Sequence, residues 1–368
     1  MFCVAQRPFS DLSRSIDTAA IERRLPYMGC LELTYRCNQS CRHCYCNLPA
    51  SDSRKASEMP TSEIKRLLDE AAGAGCFWLL LTGGEVLLRE DFREIYLHSL
   101  RKGMLVEVFT NATLLDEAAA AMFAEFPPLG IDISIYGSSA ASHDGVTGAP
   151  GSFERTMRGI GWLRKYGVRF SLKTILMTLN RDDLEGMRAL AEGLGAKFRY
   201  DTLVCPRNDG DISPARFRLS AEEMADLDLR EDLLTVEKVF AGFWDKRPEE
   251  AVTCGAGVFA FNINPYGVMS PCTMFRSFQY PLQGIPFKDA WARLSDEHER
   301  RKEGLTASVC RSCSMLLICS NCPAWSEIEA GSMDKKVEYV CGYARALERK
   351  FLMKKGERPD EEKTVSKT

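Results

Sequence analysis

The sequence predicts an α/β fold: a partial (β/α)6 barrel over residues 28–205, followed by a small C-terminal domain, residues 253–345, organised around metal. Three observations carry this. From Met28 to Cys205 short apolar runs alternate with amphipathic stretches, the pattern of βα units feeding a parallel sheet. At roughly 30 residues per unit that span holds about six units, short of the roughly 250 residues of a closed eight-unit barrel. From Thr253 to Tyr343 cysteines dominate and regular periodicity fades, as in a domain held by metal rather than by a broad core. An ordinary open doubly wound sheet is the competing arrangement.

The expected strands are Gly29–Leu33, Phe77–Leu81, Leu105–Phe109, Gly130–Ile135, Arg169–Met177 and Lys197–Leu203. Between them Ser62–Ala74, Asp91–Lys102, Leu114–Phe126, Ser152–Tyr166 and Asp182–Leu194 carry apolar residues at helical spacing. Gly103 and Gly195 fall just past helix ends, where a left-handed cap suits a residue without Cβ. Residues 1–27 form an N-terminal segment, 206–252 a polar connector with a helix at Ser220–Asp232, and 346–368 a charged tail.

Composition narrows the class. Hydrophobic residues make up 45% and charged residues 27%, which excludes wholesale disorder. Forty-eight Lys plus Arg against 51 Asp plus Glu give a net charge of -3, so nothing drives the chain as a whole toward nucleic acid or a membrane surface. Arg7 and Arg14 interrupt the N-terminus where a secretion signal needs an apolar core. Apolar runs such as Cys76–Leu81 are far shorter than the roughly 20 residues that span a bilayer. A cytoplasmic, reducing setting follows. There the 15 cysteines point to metal or redox chemistry rather than disulfide staples.

Directly after the first strand, Cys37, Cys41 and Cys44 arrive on one loop at the C-terminal edge of the sheet, where α/β proteins bind ligands. Three thiolates hold a four-iron cluster with one iron left open. A Cys3His zinc site using His43 is the alternative, although a short loop would struggle to turn all four groups inward.

The spacing CxxxCxxC, with His43 before the last cysteine and Tyr45 after it, resembles the signature of radical S-adenosylmethionine (SAM) enzymes, and Thr82-Gly83-Gly84-Glu85 after the second strand resembles their GGE motif. The resemblance implies that SAM chelates the open iron of the Cys37, Cys41 and Cys44 cluster. One electron then splits it to a 5'-deoxyadenosyl radical, in a cavity that excludes water. It further implies that Gly83 and Gly84 let the backbone approach the methionine end of SAM. Glu85 would accept hydrogen bonds from its ammonium or from neighbouring backbone. Asn111 is expected near the ribose and Ser134 near SAM, with Tyr136 standing where the family often has Asp.

The second cysteine set runs Cys254, Cys272, Cys310, Cys313, Cys319, Cys322 and Cys341. A zinc ribbon, built from paired CxxC units, needs only four of these. The arrangement resembles the SPASM extension of radical SAM enzymes, named for maturases of subtilosin, pyrroloquinoline quinone, anaerobic sulfatases and mycofactocin. Its closing step, Cys319-xx-Cys322, is one residue shorter than the usual CxxxC. By resemblance Cys310, Cys313, Cys319 and Cys341 hold one auxiliary cluster, and Cys254, Cys272 and Cys322 hold another with an open fourth ligand. Of the remaining cysteines, Cys30 and Cys76 read as small buried apolar residues, Cys46 as a bystander and Cys205 as a low-odds further ligand; Cys3 has no assignment.

The resemblance implies a peptide or protein substrate that is crosslinked or oxidised. The alternatives are tailoring of a tetrapyrrole such as haem or haem d1, and a non-catalytic iron–sulfur electron carrier. A reductase, flavodoxin or ferredoxin would supply electrons. Thr273 stands where sulfatase maturases carry an Asp base, which disfavours sulfatase activation. The segment before the first strand is too short for the winged-helix domain of many relatives, so a separate leader-binding protein is expected. Lys173, Tyr200, Asp201, Asp209 and Asp211 sit on or after late strands, with a solvated role the default for each.

Overall fold

The computed structural model describes residues 19–46, 48–231, 255–304, 310, 313, 315, 318, 319 and 322–355. Its first half runs β1 (Met28–Glu32), a short parallel pair β2 (Arg36–Cys37) and β3 (Leu48–Pro49), α1 (Thr61–Gly73), β4 (Trp78–Thr82), α2 (Phe92–Arg101), β5 (Leu105–Thr110), α3 (Glu117–Glu125) and β6 (Gly130–Ser134). Two helices, α4 (Ala140–Thr147) and α5 (Ser152–Lys165), lead to β7 (Ser171–Ile175), α6 (Leu184–Leu194) and β8 (Lys197–Asp201). The six long strands pair in parallel in chain order, β1-β4-β5-β6-β7-β8. Each expected strand and helix is present with shifted ends, and α4 is an addition the periodicity did not announce.

Alternation explains the layering. Leu31, Leu79, Leu81, Val106, Val108, Ile131 and Ile133 are buried on the outer face, against Ile64, Leu67 and Leu68 of α1 and Phe92, Ile95 and Tyr96 of α2. The intervening residues face the lumen. The pairings Cys30↔Leu80, Glu32↔Thr82, Ser134↔Lys173 and Lys173↔Arg199 put those side chains on one face, the one the barrel encloses.

After α7 (Ala221–Glu231) the sheet does not end. Strands β9 (Ala260–Ile263), β10 (Val268–Ser270) and β11 (Tyr280–Pro281) extend it past β1, giving nine strands in the order β11-β10-β9-β1-β4-β5-β6-β7-β8. β9 runs parallel to β1, Met28 opposite Ala260. The segment expected to belong wholly to a metal-held domain therefore begins as part of the barrel's own sheet. Phe261 and Ile263 point into the outer core and Asn262 into the lumen.

The chain closes with α8 (Phe287–Gly304), α9 (Pro323–Ala330) and α10 (Glu338–Lys354). The last helix corrects the expectation of a charged tail from residue 346, because Leu347 and Phe351 are buried and continue its apolar stripe. It packs on α7, where Lys350 meets Asp226 at 2.5 Å and the Tyr339 hydroxyl donates to the Leu219 carbonyl at 3.0 Å. The Arg218 guanidinium lies over the rings of Trp325 and Tyr339, 4.9 and 4.7 Å from their centroids, and joins the connector to α9 and α10. Cys3, Cys254, the connector after 231 and the tail beyond 355 lie outside the described residues. No helix among the described residues is long and apolar enough to cross a membrane.

Candidate functional site

The site grows from the C-terminal end of β1, where the chain crosses under the turn that follows β4. Gly84 N–H donates to the Thr34 carbonyl at 2.6 Å and Glu85 N–H to the Arg36 carbonyl at 2.9 Å. A Cβ on Gly83, whose φ is 138°, would stand 2.2 Å from the Thr34 carbonyl oxygen, and one on Gly84 would stand 2.2 Å from that of Arg36. The two glycines are thus required by the crossing of two backbone segments. Glu85 makes the backbone-anchoring contacts expected for it. Its carboxylate is fully buried and accepts from Leu87 N–H at 3.1 Å, the Thr110 hydroxyl at 2.7 Å and Asn111 N–H at 2.7 Å. Burial raises its pKa and those three donors pull it back.

A buried ion pair fixes the root of the loop. Arg36 donates through Nε and Nη2 to the two oxygens of Glu58 at 3.0 and 3.1 Å, and through Nη1 to the Ala50 carbonyl at 3.2 Å. Cys37 follows at once. Beyond it the loop leans on α4, with Ser40 N–H donating to Thr147 O at 2.9 Å and Arg42 N–H to Val146 O at 3.0 Å.

Cys37, Cys41 and Cys44 share one environment. The Cys37 sulfur accepts from Gln39 N–H at 3.4 Å and meets the Asn111 amide nitrogen at 3.7 Å. Burial pushes its pKa up to about 12, and the Glu85 charge adds to this. Burial also raises Cys41, followed by the charges of Cys44 and Cys37. Three mutually repelling thiolates call for a cationic core among them. A four-iron core takes three sulfur donors and leaves one iron open. His43 does not join the thiols: it is buried edge-on to Tyr136, ring centroids 4.7 Å apart, and burial lowers its pKa to about 4.

Residues 31–191 match the radical SAM superfamily. The chain carries a radical SAM domain over those residues. Such a domain implies SAM and a four-iron cluster as cofactors, and the Cys37, Cys41 and Cys44 loop offers three sulfur donors of the kind that fit the cluster. Among its relatives, the AdoMet-dependent heme synthase of Methanosarcina barkeri is 26% identical over 337 residues, covering 85% of this chain and 96% of that protein. The PqqA peptide cyclase of Rhizobium meliloti is 27% identical over 320 residues, covering 82% and 84%. The structure of Streptococcus suis SuiB bound to precursor peptide SuiA superposes with a TM-score of 0.67 at 14% identity, covering 93% of this chain and 82% of that one; it shows that the fold is shared.

The other residues expected near SAM in this radical SAM domain lie at the same strand ends. The Asn111 amide donates to Asn38 Oδ1 at 3.0 Å, and its oxygen accepts from Thr113 N–H at 2.9 Å, so it braces the cysteine loop. Ser134 faces the lumen and hydrogen-bonds the Tyr136 phenol. Cys46, expected to stand aside, has its sulfur 3.7 Å from that of Cys44.

Of the second cysteine set, Cys272 follows β10, Cys341 lies on α10 with Cys310 and Cys313 near it, and Cys254 lies outside the described residues. The Ser270 hydroxyl donates to the Cys272 carbonyl at 2.9 Å, and Met274 N–H to the Cys272 sulfur at 3.4 Å. Cys205 meets the Met274 sulfur at 3.7 Å and feels the charge of Cys322. Cys341, on α10, has its pKa raised by burial and then by Cys310, with Cys313 also contributing. Cys313 N–H donates to Cys310 O at 3.1 Å, a turn that holds this pair together.

Sequence reasoning missed Glu32. It lies fully buried in the lumen and accepts from the Tyr45 hydroxyl at 2.8 Å, the Tyr35 hydroxyl at 3.0 Å and the Asn262 amide at 3.1 Å. Burial raises its pKa against those donors. The signal was present: an acidic residue closing an apolar strand on its lumen-facing phase, with tyrosines three residues on and beside Cys44.

Proposed function

We propose that this radical SAM enzyme modifies a peptide or protein, forming a crosslink or oxidising a side chain after reductive cleavage of SAM. The observation that carries the reading is the likeness to PqqA peptide cyclase over 82% of the chain, which reaches from the barrel into the second cysteine set. Cys37, Cys41 and Cys44 hold the cluster, which supplies the electron that splits SAM. The chain's own residues do the rest: Gly83 and Gly84 seat the loop, Glu85 and Asn111 lock it, and the lumen between Ser134 and Glu32 excludes water from the reacting groups. Cys310, Cys313, Cys319 and Cys341 would hold one auxiliary cluster, and Cys254, Cys272 and Cys322 a second, and such clusters would supply an electron acceptor for the oxidative step. A flavodoxin or ferredoxin donates electrons, a separate protein binds the leader, and the enzyme works in the cytoplasm.

Iron and sulfide analysis of wild type beside a Cys37→Ala, Cys41→Ala, Cys44→Ala variant tests the centre. About four irons should vanish from a larger total, and SAM cleavage with dithionite should vanish with them. Retained cleavage rejects the assignment. The heme synthase of Methanosarcina barkeri, matched over 96% of its length, favours a second reading, tetrapyrrole tailoring. Stimulation of 5'-deoxyadenosine formation by a tetrapyrrole, and not by a peptide encoded beside the gene, would select it.

A further inference from the structure

On the luminal face Lys173 of β7 stands directly opposite Arg199 of β8 and beside Ser134 of β6. Like charges placed opposite each other on neighbouring strands destabilise a sheet, so this pair needs a reason. Arg199 is partly relieved by an ion pair with Asp132. Lys173 is not: among the described residues its ammonium makes no ion pair, and stands 4.8 Å from the centroid of the Phe109 ring. The Arg199 guanidinium approaches the same ring at 5.9 Å. An aromatic face attracts a cation and leaves its charge in place.

The other charges on this face are of both signs: Lys197, one luminal step before Arg199, adds a cation, while Asp201, which accepts from Leu203 N–H at 2.8 Å, and Glu107 of β5 add carboxylates, neither of which forms an ion pair with Lys173 among the described residues. Among the described residues β8 is an edge of the sheet, and the Arg199 side chain is 55% exposed there, whereas Lys173 is half-buried. An anion entering by the open edge meets the guanidinium first and the ammonium next. Lys173 lies one strand from Ser134, whose partner Tyr136 packs on His43 of the cysteine loop. The cation pair therefore lies beside the place where the substrate must react.

We propose that Lys173 and Arg199 form a carboxylate subsite that fixes an acidic side chain of the substrate in the lumen. This rests on the peptide-modifying reading for the carrier of the carboxylate. The propionates of a tetrapyrrole share the chemistry, and the test separates the two.

The probes are two tetramethylrhodamine-labelled decapeptides, identical except for a central Glu or Gln, and coproporphyrin III beside its tetramethyl ester. Their binding to the reconstituted, SAM-loaded protein is read by anisotropy and absorbance. Wild type should prefer the Glu peptide about tenfold, the scale of one charge-assisted hydrogen bond. In Lys173→Met and Arg199→Gln the preference should fall to within about twofold, and Arg199→Lys should restore part of it. A preference confined to coproporphyrin over its ester, lost in the same variants, supports the subsite and assigns it to a tetrapyrrole. Equal binding within both probe pairs, or a preference that survives both variants, overturns the proposal. So does a tenfold loss of SAM affinity in Lys173→Met, because the ammonium would then serve SAM's own carboxylate. SAM cleavage by wild type with dithionite is scored apart from these ratios, so a failure of the radical SAM reading is distinguishable from a failure of the subsite.

Discussion

Replacing Gly84 by Ala probes the crossing on which the cysteine loop is built. The new Cβ would lie 2.2 Å from the Arg36 carbonyl oxygen, 2.6 Å from its carbon and 2.8 Å from the Tyr35 oxygen. The nearest of these is more than about 1 Å inside the roughly 3.5–4.0 Å optimum of a non-bonded contact. The atoms it meets are backbone, so no rotamer change relieves the clash. Residue 36 must move, which strains the 2.6 and 2.9 Å hydrogen bonds from Gly84 and Glu85 and the Arg36–Glu58 pair behind them. Overpacking costs about 1–3 kcal/mol and two weakened hydrogen bonds about 0.5–1.5 kcal/mol each, so roughly 2–6 kcal/mol is expected, a large share of the stability of an ordinary domain. Urea unfolding of the apo-protein and iron per chain after reconstitution read the two consequences. Gly161→Ala is the control: it sits in α5 with nothing within 4 Å of the added carbon, and should stabilise by about 0.5–1 kcal/mol. A Gly84→Ala protein that unfolds at the wild-type urea concentration and loads the same iron would refute the reasoning.

Three further outcomes are expected. Arg36→Met leaves Glu58 buried without its main partner, their side chains being 5% and 6% exposed, and should cost about 3–5 kcal/mol; thermal melting of the Arg36→Met/Glu58→Met double variant should recover most of that, and no recovery would mean the pair is not the cause. His143 is fully buried, and Tyr136 N–H donates to its Nδ1 at 3.2 Å, so burial holds its pKa down at about 4 and a proton on Nδ1 would face that N–H. The unfolded chain, near 6.5, binds more protons between those values, so the stability present above pH 6.5 is lost as pH falls toward 4, by up to about 3 kcal/mol; His143→Asn keeps an acceptor and should flatten that decline, and parallel wild-type and variant curves would count against it. Cys46→Ser should keep the wild-type iron content although its sulfur lies 3.7 Å from that of Cys44, whereas Cys44→Ser should lose about four irons; iron loss in Cys46→Ser would make it a ligand.

What was legible followed local pattern. The apolar run in Trp78–Thr82 and the alternation in Gly130–Ser134 announce strands, and both are found. The CxxxCxxC spacing needs only eight residues, so it survives reading in one dimension. Glu85 was half legible: an acid after two glycines suggests a cap, but its partners Thr110 and Asn111 lie across the β5 turn. Glu32 was not legible, because what makes it notable is Asn262, 230 residues away. Ala260–Ile263 shows the alternation of a strand, yet it lies among cysteines whose density suggested a metal-held domain, and only pairing with β1 reveals which sheet it serves. Local pattern identifies a strand; its neighbour is a tertiary fact.

That addition changes where the molecule is stiff and where it is open. With β9 on one side and β4 on the other, β1 is a central strand paired along both edges. The cysteine loop therefore springs from the most constrained part of the sheet, and the Arg36–Glu58 pair and the Gly83–Gly84 crossing extend that constraint up to Cys37. Among the described residues β8 is the opposite case, an edge strand whose Arg199 reaches solvent while Lys173 beside it faces the lumen. A reactive centre must hold its geometry and a substrate must still enter. The sheet order separates the two demands by placing the anchored loop in the middle and the cation-lined entrance at one end. Had the sheet ended at β1, the loop would have hung from an edge strand, where backbone groups are unpaired and fraying is cheapest.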